Sequence, residues 1–197
     1  MKSFENKTIV LGVSGGIAAY KAAELARLLV RHGASVLVAF SANAGRFVTP
    51  LTFQALTGNR VYENVFQSAD SAGMDHINAV EQADVLVIAP ASANTIGKLA
   101  QGLADDALST LFLAYDGPVL VAPAMNDKMW GNLAVQENLK RLRSRGIQVL
   151  EPTEGELACG KEGPGRLPEP ADLLEEVRLI LNRKNDFAHL RVLVTAG

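Results

Sequence analysis

Along the chain, short β-branched apolar runs alternate with amphipathic stretches. Residues 7–13 (KTIVLGV), 35–40 (SVLVAF), 84–89 (DVLVIA), 118–122 (PVLVA) and 147–150 (IQVL) are nearly unbroken apolar runs of strand length. Lacking polar alternation, they predict strands covered on both faces. Over 17–32 the apolar residues Ala18, Ala22, Leu25, Ala26, Leu28 and Leu29 recur close to helical spacing, and His32-Gly33 supplies a cation and a glycine where that helix would end. Further helices are predicted around 50–57, 76–82, 95–103, 106–114, 133–144 and 171–182. Residues 59–75 read as polar and irregular, and 151–170, rich in Gly, Pro and Glu, read as a loop. Strand and helix alternating through short connections predict an α/β fold: a doubly wound, Rossmann-like or flavodoxin-like parallel sheet with helices on both faces.

Composition sharpens the class. The 197 residues are 48% hydrophobic and 20% charged, enough for one globular domain with a sizeable core. A net charge of −2 gives no electrostatic footprint for nucleic acid or an anionic membrane. No apolar run is long enough to span a bilayer, and the N-terminus lacks the apolar length and cleavage site of a signal peptide. A single cysteine, Cys159, rules out a disulfide within the chain and fits a cytoplasmic setting. After Asn182-Arg183-Lys184-Asn185-Asp186 the chain resumes with LRVLVTAG, a strand entering a glycine turn like the TIVLGVSGG near its start. The expected organisation is one domain over 1–182, with 183–197 a linker and the beginning of a second nucleotide-binding unit belonging to a longer protein; a last edge strand of the same sheet is the alternative.

In such a sheet, ligands sit at the carboxyl ends of the strands. Three of those ends carry small polar loops: Ser14-Gly15-Gly16-Ile17, Ser41-Ala42-Asn43 and Ala91-Ser92-Ala93-Asn94-Thr95. The first precedes a helix, whose free N–H groups and dipole can hold a phosphate; a tight structural turn explains the same glycines. Their pattern is not G-x-G-x-x-G, and no G-x-x-x-x-G-K-[ST] occurs. A dinucleotide site wants an acidic residue at the end of the second strand, where this chain has Ser41 and Asn43. Hydroxyl and amide groups bind phosphate or ribityl oxygens without repelling them, which points to a mononucleotide such as FMN.

Candidate reactive groups lie elsewhere. Cys159 sits in Ala158-Cys159-Gly160 within a glycine-rich segment, suited to a thiol acid or nucleophile on a covering loop, or to an inert buried cysteine. His76 suits acid–base work or a surface helix start. Asn126 offers a donor and an acceptor to a ligand carboxylate or amide, or serves as a helix N-cap. Asp105-Asp106 reads as helix capping rather than a catalytic pair. Met125, Met129 and Trp130 suit either the core or the wall of an apolar pocket. No histidine pair has metal-ligand spacing, so no metal site is expected.

The segments GVSGGIAAYK (12–21), His76-Ile77, APASAN (89–94), PAMNDKM (123–129) and Ala158-Cys159-Gly160 together resemble the homo-oligomeric flavin-containing cysteine decarboxylase family, over essentially the whole chain. Within it, they are most similar to the N-terminal phosphopantothenoylcysteine decarboxylase halves of bacterial bifunctional coenzyme A biosynthesis flavoproteins, and LRVLVTAG resembles the start of the ligase half. The resemblance implies FMN as cofactor, its phosphate near Gly15, Gly16, Ile17, Ser41 and Asn43, and its ring lined by Ser92, Ala93, Asn94 and Thr95 with Ser109 and Ala124 nearby. It implies decarboxylation of 4'-phosphopantothenoylcysteine to 4'-phosphopantetheine. His76 would assist oxidation and decarboxylation, Asn126 would hold the substrate carboxylate or amide, and Cys159 would donate the proton of the final reduction. Met129, Ala158 and Gly160 would join Asn126 and Cys159 around the substrate. It also implies a homo-oligomer built from trimers, a dodecamer, with flavin at the subunit interface. The competing readings are a peptidyl-cysteine decarboxylase, a flavin prenyltransferase and a non-catalytic regulatory flavoprotein subunit. Cys159 argues against the first, the Pro-Ala-Met-Asn and Ala-Cys-Gly pair against the second, and the intact reactive positions against the third.

Overall fold

The apolar runs assemble into one parallel sheet. The computed structural model describes residues 3–63, 80, 82–156, 160 and 162–182. In chain order these form β1 (Thr8–Val13), α1 (Ala19–Arg31), β2 (Ser35–Phe40), α2 (Pro50–Thr57), β3 (Val61–Tyr62), β4 (Val85–Ala91), α3 (Ala93–Gln101), α4 (Ala107–Ala114), β5 (Val119–Pro123), α5 (Asp127–Trp130), α6 (Leu133–Ser144), β6 (Gln148–Val149), β7 (Thr153–Glu156), β8 (Glu162–Arg166) and α7 (Pro170–Leu181). Six strands lie parallel in the order β3-β2-β1-β4-β5-β6, the doubly wound arrangement expected from the sequence. From β1 the chain winds outward through β2 to β3, then returns to β4 beside β1 and winds the other way. The connections at the carboxyl ends of β1 and β4 therefore leave in opposite directions and open a crevice between them.

Strand side chains alternate between two faces, and each face has its own apolar layer. Ile9, Leu11 and Val13 of β1 pack with Leu25 and Leu29 of α1, Phe53 of α2, and Leu173 and Val177 of α7. Val10 faces the opposite layer, with Ile96 and Leu99 of α3, Leu108 of α4, and Leu139 and Leu142 of α6. Removing each such side chain from water contributes about 1.5–3 kcal/mol, which holds the helices to the sheet. Phe40 and Phe53 meet edge to face, with ring centroids 5.3 Å apart. Gly12 lets α4 approach β1, because a Cβ there would collide with the buried Leu108 side chain.

Local chemistry sets the element ends. Helix α1 is rich in alanine and leucine and stops at His32 and Gly33, the latter at φ 96°, a conformation that favours glycine. At the amino ends of the strands, Asp84 accepts from Lys7 Nζ at 2.6 Å and from the Thr8 N–H at 2.8 Å, tying β1 to the segment leading into β4. Burial works to raise the Asp84 carboxyl, but hydrogen bonds from Lys7 and Thr8 and the ammonium charge outweigh it and hold it below its ordinary range.

Three elements depart from the sequence reading. Within 59–75, Val61 and Tyr62 form β3, pairing with Val38 and Ala39. A short helical turn, α5, follows Asn126. The stretch 151–170, expected to be a loop, contains the antiparallel hairpin β7–β8, with Thr153 opposite Arg166 and Glu156 opposite Glu162. Its strands, TEGE and EGPGR, have no apolar alternation to announce them, and backbone pairing defines them. The helix expected over 76–82 and the tail 183–197 lie wholly or largely outside the described residues. No helix among the described residues is long and apolar enough to cross a membrane.

Asp106 does the capping expected of it. Its carboxylate accepts the Ser109 N–H and hydroxyl, both at 2.8 Å, while Ser109 Oγ accepts the Asp106 N–H at 3.2 Å, closing a reciprocal cap on α4. Lys98 of α3 pairs with Asp106 at 3.0 Å and with Asp105 at 2.6 Å. Burial pushes the Asp106 carboxyl up, but bonds from the Ser109 backbone, Lys98 and the Ser109 hydroxyl, with the charge of Lys98, bring it below the ordinary range. A carboxyl depressed in the folded state adds stability above its unfolded pKa of about 3.9, and that contribution is lost as pH falls through the folded value. Asp106→Asn should therefore destabilise the fold by about 1–3 kcal/mol at pH 7, with the gap closing below about pH 4. Denaturant midpoints of both proteins at the two pH values check this; a gap independent of pH would show that the charge contributes nothing.

Candidate functional site

The site is built where the strands β1, β2, β4 and β5 end. Ser14, fully buried, donates from Oγ to the Pro90 carbonyl at 2.8 Å and accepts the Ser92 N–H at 2.8 Å. One hydroxyl thus binds the loop after β1 to the end of β4 and to the first residue beyond it. The loop after β2 joins from the other side: Ser41 Oγ accepts the Gly15 N–H at 3.2 Å. Gly15 packs so closely on this loop that a Cβ would sit 2.8 Å from the Asn43 carbonyl oxygen. The loop after β5 completes the row, with the Ala124 N–H donating to Ala91 O at 3.0 Å and the Met125 N–H donating to Gly165 O of the hairpin at 3.0 Å.

The predicted cofactor residues therefore converge, though not all in the same manner. Gly15, Gly16, Ile17, Ser41 and Asn43 surround the start of α1. No side chain caps that helix and no acidic residue occupies its first turn. Gly16 faces open space, where a Cβ would meet nothing within 4 Å, and Ile17 is 67% exposed. Uncapped N–H groups, a positive dipole end, and hydroxyl and amide neighbours suit an anionic phosphate. Ser92, Ala93, Asn94 and Thr95 form the start of α3, where Ser92 is the N-cap and accepts from the Thr95 N–H at 3.3 Å. Thr95 is buried, whereas Asn94 is exposed and Ala93 half-buried. Ser109 stands apart: it is 1% exposed, and its hydroxyl both donates and accepts within the Asp106 cap. These bonds fix the start of α4.

Of the predicted reactive residues, Asn126 is at the mouth of the crevice, after β5. It is the N-cap of α5, its Oδ1 accepting the Lys128 N–H at 2.9 Å, which fixes the orientation of its amide. Met129 of α5 is 47% exposed, while Met125 and Trp130 pack partly into the core. Gly160 is exposed at φ 75°. His76, Ala158 and Cys159 lie outside the described residues; by chain connection, Ala158 and Cys159 belong to the link between β7 and β8. The sequence reading assigned no role to Ser14 or to Lys21. Ser14 is signalled only by its position at the end of an apolar run. Lys21, in the first turn of α1, is signalled by being a cation where the helix dipole disfavours one.

Comparison with known proteins gives the family and the fold. The chain is 46% identical over 197 residues to the coenzyme A biosynthesis bifunctional protein CoaBC of Vibrio cholerae, covering 100% of this chain and 49% of that one. It thus spans about half the length of the curated relatives it matches. Among solved structures, it superposes with a TM-score of 0.82 on a PPC decarboxylase cysteine-to-serine mutant complexed with pantothenoylaminoethenethiol, at 33% identity over 90% of this chain and 99% of that one. The FMN-dependent cysteine decarboxylase SpaF gives a TM-score of 0.78 at 30% identity, over 90% and 97% of the two chains. Residues 2–182 match the family described as Flavoprotein, and the chain belongs to that family.

Proposed function

We propose that this chain is an FMN-dependent phosphopantothenoylcysteine decarboxylase that converts 4'-phosphopantothenoylcysteine to 4'-phosphopantetheine in coenzyme A biosynthesis. The observation that carries the reading is the convergence of an uncapped helix start, the β5-end Asn126 and the β7–β8 hairpin on one crevice. Its likeness to a PPC decarboxylase along 99% of that structure supports the substrate.

The residues fit the cofactor. The backbone at Gly15, Gly16 and Ile17, with Ser41 and Asn43, would hold the FMN phosphate; Ser92, Ala93, Asn94, Thr95 and Ala124 would line the ring. Ser109, its hydroxyl held by Asp106, would stand near the ring. When bound, FMN supplies the reversible two-electron redox chemistry that no protein side chain offers. The rest falls to the chain. His76 moves the proton that accompanies oxidation of the cysteine portion. Asn126, its amide fixed by the Lys128 N–H, orients the substrate carboxylate or amide. Met129, Ala158 and Gly160 line the substrate, and Cys159 donates the proton that completes the reduction. The solved relative with serine in place of a cysteine holds an ethenethiol, which supports that last role, and this chain has one cysteine.

The full protein is proposed to carry a ligase domain beyond this chain, since the CoaBC relatives are about twice its length. A homo-oligomer built from trimers, a dodecamer, is proposed as the assembly. The proposed setting is the cytoplasm.

The primary test is the visible spectrum of the purified protein, followed by anaerobic addition of phosphopantothenoylcysteine and mass analysis. A flavin spectrum with phosphopantetheine as product is expected. The ethenethiol alone would indicate a peptidyl-cysteine type of enzyme, and a protein that cannot take up FMN would remove the proposal. Gly16→Asp should leave folding intact, because the site of the new side chain is open, yet lower FMN affinity by about tenfold or more through repulsion of the phosphate; unchanged affinity by fluorescence titration would place the phosphate elsewhere. His76→Asn is expected to retain FMN and release no carbon dioxide. Cys159→Ser should release carbon dioxide yet accumulate the ethenethiol; a normal phosphopantetheine yield would exclude Cys159 from the last step.

A further inference from the structure

Lys21 is a cation in the first turn of α1, where the helix dipole opposes positive charge, and it is 5% exposed. Both facts disfavour a lysine unless it is firmly partnered, since a buried ammonium is costly without hydrogen bonds and a counter-charge. Its Nζ donates to the Leu167 carbonyl at 3.0 Å and to Glu169 Oε1 at 2.7 Å. The bond with Lys21, opposed by slight burial and reinforced by the charges of Lys21 and Arg166, holds the Glu169 carboxyl below its ordinary range. Leu167 directly follows β8, and Glu169 is the N-cap of α7. Lys21 therefore grips the point at which the hairpin leaves the body of the domain. Two residues upstream of Leu167, Gly165 O accepts the Met125 N–H of the β5-end loop. The hairpin stem is thus held between α1, which carries the proposed phosphate loop, and the loop that carries Asn126.

We infer that Lys21 is a positioning residue for the decarboxylase reaction: it fixes the β7–β8 hairpin to the helix that begins at the cofactor loop. The inference rests on the function proposed above. Lys21 does not itself meet the cofactor phosphate, because its ammonium points to Leu167 and Glu169 on the hairpin side. Its loss should therefore disturb what the hairpin delivers and leave what the cofactor loop binds. The hairpin connects through residues 157–161, which include Cys159, so the step most exposed to its displacement is the final protonation.

The test compares FMN affinity, kcat, KM and product ratio in the wild-type protein, Lys21→Met and Lys21→Arg. Lys21→Met is expected to hold FMN within about threefold of wild type and to raise the ethenethiol-to-phosphopantetheine ratio by about tenfold or more, since displacement of a reacting group by about 1 Å can cost about 100-fold. Lys21→Arg, which can still donate to a carbonyl and a carboxylate, should restore most of the wild-type ratio. If FMN affinity and turnover fall in parallel while the product ratio stays at the wild-type value, Lys21 is only a packing element and the inference fails. Should Lys21→Met not fold, Glu169→Gln replaces it, with a smaller shift of the ratio in the same direction expected and an unchanged ratio overturning the inference. A wild-type protein that neither takes up FMN nor decarboxylates would overturn the functional reading and this inference with it, whereas an active wild type with an unaffected Lys21→Met overturns the inference alone.

Discussion

Where a doubly wound sheet changes direction, two neighbouring strands send their chains to opposite faces, and the strand ladder stops where the loops depart, here with the Ser14 N–H donating to Pro90 O at 3.2 Å. In this protein the Ser14 hydroxyl spans that point, donating to Pro90 O and accepting the Ser92 N–H. Both bonds are 2.8 Å, and the serine is fully buried. Because the starts of α1 and α3 lie directly beyond these loops, the same hydroxyl sets the spacing of two helix N-termini at one crevice. Ser41 extends the arrangement to the third loop through the Gly15 N–H, and Gly15 permits it by having no side chain to strike Asn43. Removing the hydroxyl leaves the Ser92 N–H without its acceptor, a cost of about 1–3 kcal/mol, while Pro90 O keeps the Ser14 backbone N–H at 3.2 Å. The spacing of the loops around the crevice therefore rests in part on a buried contact made within the protein.

The charges follow a consistent plan. Lys7 is engaged by Asp84, Lys98 by Asp105 and Asp106, and Lys21 by Glu169. Each of these pairs joins separate elements near the rim of the sheet or between helices. The proposed phosphate position is served instead by backbone N–H groups, Ser41 and Asn43. Fixed dipoles of this kind hold an anion without a counter-ion that must itself be desolvated. Such a site depends on backbone placement more than on side-chain charge, which is why the contacts that hold loops in place, at Ser14, Gly15 and Ser41, matter to it.

The sheet and most helices were legible because burial on both faces demands continuous apolar strands, and packing on a sheet demands one apolar helix stripe. Residues 35–40, 50–57 and 133–144 were read with the boundaries that the structure has. The role of Asp106 was legible too, since capping is a local interaction with a local pattern. The hairpin β7–β8 was not, because its residues are half-exposed, polar and glycine-rich, and its pairing is made by backbone atoms that leave no side-chain period. The two-residue β3 is likewise too short to show a period.

The sequence by itself determined the alternation of strands and helices, the neutral polar character of the strand-end loops, and the motifs that place the chain in its family. Each depends on residue type and near-neighbour spacing. Only the tertiary structure decided that Ser14 joins two loops, that Ser41 accepts the Gly15 N–H, and that Lys21 reaches the end of the hairpin. Those contacts link residues as far apart as Ser14 and Ser92, or Lys21 and Leu167. A hydroxyl or ammonium binds whichever partner the folded backbone brings within about 3 Å, and that distance is set by packing.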